Sequence, residues 1–360
     1  MQHYDPRQNL ILDWLRNTLQ LDVQSLEPAS ADASFRRYFR ATLIEQAAPI
    51  TRIVMDAPPA HEDIRPFLRI DQHLAACGVH VPHIYDYSIE HGLMLLEDMG
   101  NMPYLTALQI TDLTPSPLAG EGWGEGADKN QTPNPSNARP NIDKLYTDAL
   151  RALQHLQTCP SADLPAYDHA KLTSEMQLFE TWYLRQHLGL EPGDDDMALL
   201  NATYAQLAER ALAQTQGFVH RDYHSRNLML TADHPPGIID FQDAVHGPIT
   251  YDIASLLRDS YIEWPDQQVE AWLQQHHHAL QQSQAHIPEW RQFKTDFDWM
   301  SAQRHLKVLG IFARLHHRDG KSGYLADLPL TLRNLHRSLA PYAEFGEFID
   351  WLNSHGCARP

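Results

Sequence analysis

The sequence predicts an α+β protein of two lobes, a small β-rich lobe followed by a large helical one. Three observations carry this. The chain has 360 residues, more than a single hydrophobic core comfortably serves. Short apolar runs of β-forming residues crowd into the stretch before residue 98, whereas helical periodicity dominates from Lys144 onward. Within the helical part, two polar stretches, 220–227 and 240–243, are each framed by apolar residues that read as strands.

Taken in order, Asp5-Pro6 reads as a helix start, with Leu10, Ile11, Trp14 and Leu15 along one face. Short strands are expected at 23–26, 37–43 and 52–55. A helix follows at 63–76, with Ile64, Phe67, Leu68, Leu74 and Ala75 to one side and Gly78 past its end. Strands at 84–88 and 93–97 complete the small lobe, expected over residues 1–98, and the large lobe takes 99–360. Residues 111–141 break the pattern. Pro115 to Gly126 is dense in Pro and Gly, then Asn, Pro and Ser follow without period. Such a segment buries too little apolar surface to offset its ordering entropy and reads as a disordered insertion, with a lid or partner-binding loop as the alternative. Beyond it, helices are expected at 144–157, 169–187, 196–214, 251–261, 266–284, 288–317, 325–339 and 342–352.

Composition excludes several classes. Hydrophobic residues at 43% and charged residues at 21% are ordinary globular values. A formal net charge of −18 repels phosphate backbones, so neither nucleic acid nor an anionic membrane is expected as partner. Small phosphate-bearing ligands remain compatible, because a few local arginines can neutralise them. The three cysteines, Cys77, Cys159 and Cys357, lie far apart and imply neither a disulfide framework nor a zinc site. Residues 1–21 lack the pattern of a signal peptide, and no apolar run approaches the roughly 20 residues that span a bilayer. A cytoplasmic location is expected.

The most informative stretch is His220-Arg221-Asp222-Tyr223-His224-Ser225-Arg226-Asn227, followed thirteen residues after Asn227 by Asp240-Phe241-Gln242-Asp243. It supplies two carboxylates and a carboxamide where phosphoryl transfer needs a nucleophile-orienting base and magnesium ligands. Phe218-Val219 leads in, Leu228-Met229-Leu230 leads out, and Gly237-Ile238-Ile239 runs into Asp240. A lone His-x-Asp carries no signal, but the framed pattern does. Rival chemistry fails by inspection. His220 and His224 have the i, i+4 spacing of a zinc pair, yet Arg221 stands where a general-base Glu belongs. Gly320-Lys321-Ser322 resembles the end of a P-loop, but Leu315 occupies the required glycine position. His276-His277-His278 is expected on a solvated helix face.

These residues resemble the aminoglycoside phosphotransferase and choline kinase branch of the protein-kinase-like fold. The resemblance implies ATP bound between the lobes, with Asp222 as catalytic base and Asn227 and Asp240 as magnesium ligands. Asp243 is a third metal-shell carboxylate or a turn residue. Gly247-Pro248-Ile249-Thr250-Tyr251-Asp252-Ile253-Ala254 is similar to the family segment whose aspartate braces the catalytic loop. Leu95-Leu96-Glu97-Asp98-Met99-Gly100 resembles the hinge that meets the adenine, which makes Glu97 a nucleotide-site candidate. Three further segments are similar to bacterial anomeric sugar kinases: Ala33-Ser34-Phe35-Arg36-Arg37-Tyr38-Phe39-Arg40, Val54-Met55-Asp56-Ala57-Pro58-Pro59, and the run from Gln303 to Leu315. This implies phosphorylation of N-acetylmuramate and N-acetylglucosamine at the C1 hydroxyl in cell-wall recycling. His224, Gln242, Arg304 and His305 are the sugar-contact candidates. Aminoglycoside, choline or homoserine kinases are the alternatives within the branch, and a nucleotide-binding pseudokinase is the alternative outside catalysis.

Two features depart from the wider kinase pattern. The hairpin from Asp32 to Arg37 contains no glycine, and Asp56 stands where kinases place a phosphate-gripping lysine. Arg36, Arg37 or Arg52, with Ser34, is expected to supply the missing positive charge.

Overall fold

The computed structural model describes residues 5–31, 35–112, 141–232 and 236–357. Ser34 and nearly all of the 111–141 insertion lie outside them. Helix α1 (Pro6–Asp13) opens the chain. Asp5 caps it by accepting from the Arg7 amide at 3.0 Å, and Pro6 occupies its first turn. The next residues, Trp14–Thr18, continue as a wider π-helical turn.

Five strands follow: β1 (Val23–Ala31), β2 (Arg37–Glu45), β3 (Ala48–Asp56), β4 (Ile84–Ser88) and β5 (Leu93–Glu97). They form an antiparallel sheet in the order β1-β2-β3-β5-β4. Helix α2 (Arg65–Ala76) lies between β3 and β4 in the chain. Both sheet faces are covered, which explains why Leu93, Met94, Leu95 and Leu96 are all buried. Leu93 and Leu95 join Ile11, Trp14 and Leu15 of the α1 region, while Met94 and Leu96 join Phe67, Ile70 and Leu74 of α2.

The large lobe contains α3 (Tyr104–Asp112), α4 (Ile142–Leu156), α5 (His169–Leu178), α6 (Asp194–Ala213), α7 (Thr250–Leu257), α8 (Asp266–Ser283), α9 (Trp290–His317), α10 (Leu328–Leu339) and α11 (Gly346–Ser354). Residues Phe179–His187 extend α5 with π-helical geometry. Among the helices run four short strands, β6 (Gln216–Val219), β7 (Leu228–Met229), β8 (Gly237–Ile238) and β9 (Val245–Pro248). Strand β6 pairs with β9, and β7 pairs with β8. The core that holds α2 continues into the large lobe through Leu145, Ala149 and Leu153 of α4 and Phe218 and Phe241 of the loop region. A second core gathers α5, α6, α9, α10 and α11.

Helix α9 is the spine of the large lobe. It packs tightly against α5 at Gly310, where a Cβ would lie 2.3 Å from the Leu178 carbonyl carbon. Gly320, at φ +69°, ends the segment after α9, as its helix-stopping reading requires.

Several expectations need correction. Helix α3 was not foreseen, because it abuts the compositional break that follows it. The helix expected at 251–261 stops at Leu257, and 322–327 is a 3-10 turn leading into α10. His276 and His277 are buried rather than solvated. His277 lies 4.8 Å from the Phe293 ring centroid and its Nε2 is 2.8 Å from the Pro288 carbonyl, so the second face of α8 is covered by the start of α9.

Candidate active site

The loop 220–227 leaves β6 and enters β7, and the tight β7–β8 pairing returns the chain to Asp240 beside Asn227. The Ile239 amide donates to the Asn227 carbonyl at 3.1 Å, locking that return. Two residues in the site take left-handed backbone angles without being glycine, Arg221 at φ +80° and Asp240 at φ +67°. Such strain persists only where surroundings over-determine it. Here Asp252, buried in the first turn of α7, accepts the His220 amide at 2.7 Å and the Arg221 amide at 2.9 Å. The Asp222 amide donates to His220 Nδ1 at 3.2 Å, which leaves the ring proton on Nε2. Burial lowers His220 to about 4, so the ring is neutral at pH 7. Farther along, Asp259 accepts the Ser225 amide at 3.0 Å and its hydroxyl at 2.6 Å.

Asp222, Asn227 and Asp240 converge. Asn227 Nδ2 donates to the Asp222 carbonyl at 3.0 Å and to Asp240 Oδ2 at 3.3 Å. Gln242 Nε2 donates to Asp240 Oδ1 at 2.8 Å. From the small lobe, Arg36 Nη2 reaches within 3.6 Å of the same Asp240 oxygen. Among the described residues no group of three His, Cys, Asp or Glu stands ready to hold a metal. The Asn227 carboxamide and the Asp240 carboxylate are instead a partial set of hard donors, once the amide oxygen is turned to the ion. Such a set suits magnesium, which takes few protein ligands and completes its shell with phosphate and water.

Beside this cluster lies a cavity lined by Asp222, His224, Tyr261, Arg304, Lys307 and Phe312, among others. Burial alone would raise the Asp222 carboxyl, but Lys307, His224, Arg221 and Arg304 outweigh it and hold the group below the usual carboxylate range. Lys307 is 5% exposed. Its Nζ donates to Tyr251 Oη at 3.0 Å and lies 3.4 Å from Glu175 Oε2. Burial pulls the ammonium down, yet Tyr251 and Glu175 keep it above its ordinary value, and it stays charged. Glu175 also pairs with Arg221 and accepts the Tyr167 hydroxyl, so a buried network backs the loop.

The other candidates are placed as follows. His224 lines the cavity, and its Nδ1 meets no partner among the described residues. His305, two positions from Lys307, faces elsewhere. Its Nε2 is 2.8 Å from the Arg258 carbonyl, and burial lowers it to about 3. Arg37 is held by Asp5 at 2.6 Å and by Asp56, which also accepts from Arg7 Nε at 2.9 Å. That triad explains the acidic residue at the end of β3. Arg52 lies over the Tyr85 ring at 3.9 Å, leaving Arg36 as the arginine of the three that reaches the loop cluster. Glu97, at the end of β5, accepts the His83 amide at 3.1 Å. Lys307, Tyr261 and the Glu175 network were not foreseen. Lys307 had a signal, since it falls one helical turn after Arg304 on the same face. Glu175 is distant in sequence and had none.

Residues 25–294 match the sequence model of the phosphotransferase enzyme family, APH, a span that includes the whole loop and hairpin. The chain belongs to the phosphotransferase enzyme family. It is therefore an enzyme of phosphoryl transfer. Relatives in this family include the N-acetylmuramate/N-acetylglucosamine kinase of Pseudomonas aeruginosa, 42% identical over 91% of this chain and 88% of that protein. The protein of the same name from Pseudomonas putida is 40% identical over 97% of each chain. A third, from Neisseria meningitidis, is 36% identical over 94% of this chain and 92% of that one. Among solved structures, a choline kinase from Streptococcus pneumoniae is similar in fold, with TM-score 0.56, 14% identity, and coverage of 93% of this chain and 99% of that one. An ADP-bound aminoglycoside phosphotransferase gives TM-score 0.56 at 12% identity, covering 93% and 99%. The two-lobed, protein-kinase-like α+β fold is thus shared across phosphotransferase enzymes with different acceptors.

Proposed function

We propose that this phosphotransferase moves the γ-phosphoryl group of ATP to the C1 hydroxyl of N-acetylmuramate and N-acetylglucosamine, a reaction of cell-wall recycling. The observation that carries the choice of acceptor is the charge of the cavity beside Asp222. Arg304 and Lys307 are both buried there. A polycationic aminoglycoside or a quaternary amine would meet a like charge in the Arg304 guanidinium, which no salt bridge among the described residues neutralises, in a poorly solvated site. A neutral or anionic sugar would not. The relatives that share 36–42% identity over most of their length carry names of that substrate class.

In this reading residues 1–98 form the nucleotide lobe and 99–360 the catalytic and substrate lobe. Asp222, held ionised, accepts the C1 hydroxyl proton and orients its oxygen toward the phosphoryl group. Asn227 and Asp240 would hold magnesium, whose charge neutralises the phosphate oxygens when it is bound. Arg36 adds positive charge from the small lobe, taking the place of the absent lysine. Ser34 and the Glu97 hinge complete the nucleotide side, and Arg37 acts by bracing Asp56 at the end of β3. His224 and Gln242 flank the base and contact the sugar, while His305 supports α9 from behind. ATP as donor sets the reaction in the cytoplasm. No helix of the described residues is long and apolar enough to cross a membrane.

ADP release with magnesium, measured over N-acetylmuramate, N-acetylglucosamine, choline and kanamycin, tests the reading. Turnover of the two sugars is expected. Preference for choline or kanamycin would overturn it, and absence of ADP release with every acceptor would favour a nucleotide-binding pseudokinase.

A further inference from the structure

Arg304 is a buried cation held by no salt bridge among the described residues, although its charge helps to keep Asp222 ionised. It is 3% exposed, takes part in no ion pair, and its Nη1 meets no hydrogen-bond partner among the described residues. It nevertheless lines the cavity that contains Asp222. Lys307, one turn away, shows the contrast, because Glu175 and Tyr251 satisfy it. A guanidinium taken out of water and left unpaired is costly, and the cost is recovered only when an anion arrives. Its planar fork matches a carboxylate in bidentate geometry, which a hydroxyl or an acetamide matches less well. The chain as a whole carries −18 and repels anions, so any anionic acceptor needs such a local cation.

We infer that Arg304 binds a carboxylate carried by the acceptor, and so distinguishes N-acetylmuramate, with its lactyl carboxylate, from N-acetylglucosamine, which has none. This rests on the sugar-kinase reading above and extends it from substrate class to substrate choice. Arg304, Lys307 and Ile311 fall on one face of α9, each a turn from the next. The carboxylate is thus read from α9 while the reacting hydroxyl is held by the loop that carries Asp222.

The test measures kcat/KM for N-acetylmuramate, its methyl ester and N-acetylglucosamine with wild type, R304M and R304K. Loss of one charge-assisted pair corresponds to roughly 10- to 150-fold. R304M is expected to reduce the ratio of N-acetylmuramate to N-acetylglucosamine activity by that factor. Esterification should cost wild type a similar factor and cost R304M less than about threefold, the signature of a direct pair. R304K should fall between. R304M should melt no lower than wild type, because methionine removes an unpaired buried charge. An equal loss with all three acceptors, or an ester penalty undiminished in R304M, overturns the inference. If wild type turns over neither sugar, the sugar-kinase reading falls instead. Calorimetric binding of the same three ligands then decides on Arg304, and no preference for the carboxylate overturns its role.

Discussion

The base proposed here, Asp222, is held ionised because four cationic or polarisable neighbours counter its burial. The sign for pH follows directly. Its carboxyl lies below the usual value of about 3.9, so the ionised form is complete well below neutrality and lost only in strong acid. The ratio kcat/KM should therefore show no acidic limb from this group between about pH 5 and 8. A limb attributable to Asp222 with a midpoint above about pH 6 would contradict the placement. D222N, which keeps the shape and removes the base, should lower kcat by roughly 100- to 10,000-fold. In the proposed reaction Arg36 serves the donor rather than the acceptor. R36A should raise the KM for ATP by about tenfold, near the low end for a charged hydrogen bond, and leave the KM for the sugar within about threefold. The reverse split would reassign it. Asp222, Asn227 and Asp240 were legible in the sequence because a short hairpin fixes their spacing. Lys307 and Glu175 were not read, since their pairing is tertiary. Sequence places Arg37 among the candidate phosphate ligands, and only the fold sets Asp5 and Asp56 around it.

At the scale of elements, the site depends on α9 lying close against α5. G310A would force a methyl group into the Leu178 backbone. A loss of about 1–3 kcal/mol in denaturant unfolding is expected, and displaced α9 should weaken acceptor binding as well. An unchanged midpoint would show that the two helices can separate freely. Helix α2 offers a second check. Asp71 is buried, its Oδ2 has no partner among the described residues, and burial raises its carboxyl to about 7. The folded state therefore favours the neutral acid, while the unfolded chain ionises near about 3.9. Stability falls as pH rises between those values, and the penalty is complete above the folded value. D71N should stabilise the protein more at pH 8 than at pH 5, as read by melting temperature. A gain independent of pH would show that Asp71 is not held neutral. Pattern alone found every strand but β9, and most helices, because period and turn residues are local. It cut β1 short at residue 26, since the rest of that strand is polar and contains Pro28. Pairing with β2 holds it in place.

The molecule as a whole carries a strong negative charge around a cavity with two buried cations, and its two lobes share one continuous core through α2 and α4. Two lobes were legible because strands and helices are segregated along the chain. The cavity's charge was not, because the cavity is built from α9, the loop after β6, the start of α7 and the segment that follows α7, which only the fold brings together. In the proposed reaction, the placing of Asp222, Arg304 and Lys307 around one cavity is what chooses the acceptor. The most direct measurement is phosphorus and proton NMR of the product formed from N-acetylmuramate, ATP and magnesium by wild type and by D222N. Phosphorus coupled to the anomeric proton, with one ADP per sugar, is predicted for wild type, and that signal should nearly vanish for D222N. Phosphate on any other hydroxyl, or undiminished product from D222N, would contradict the account.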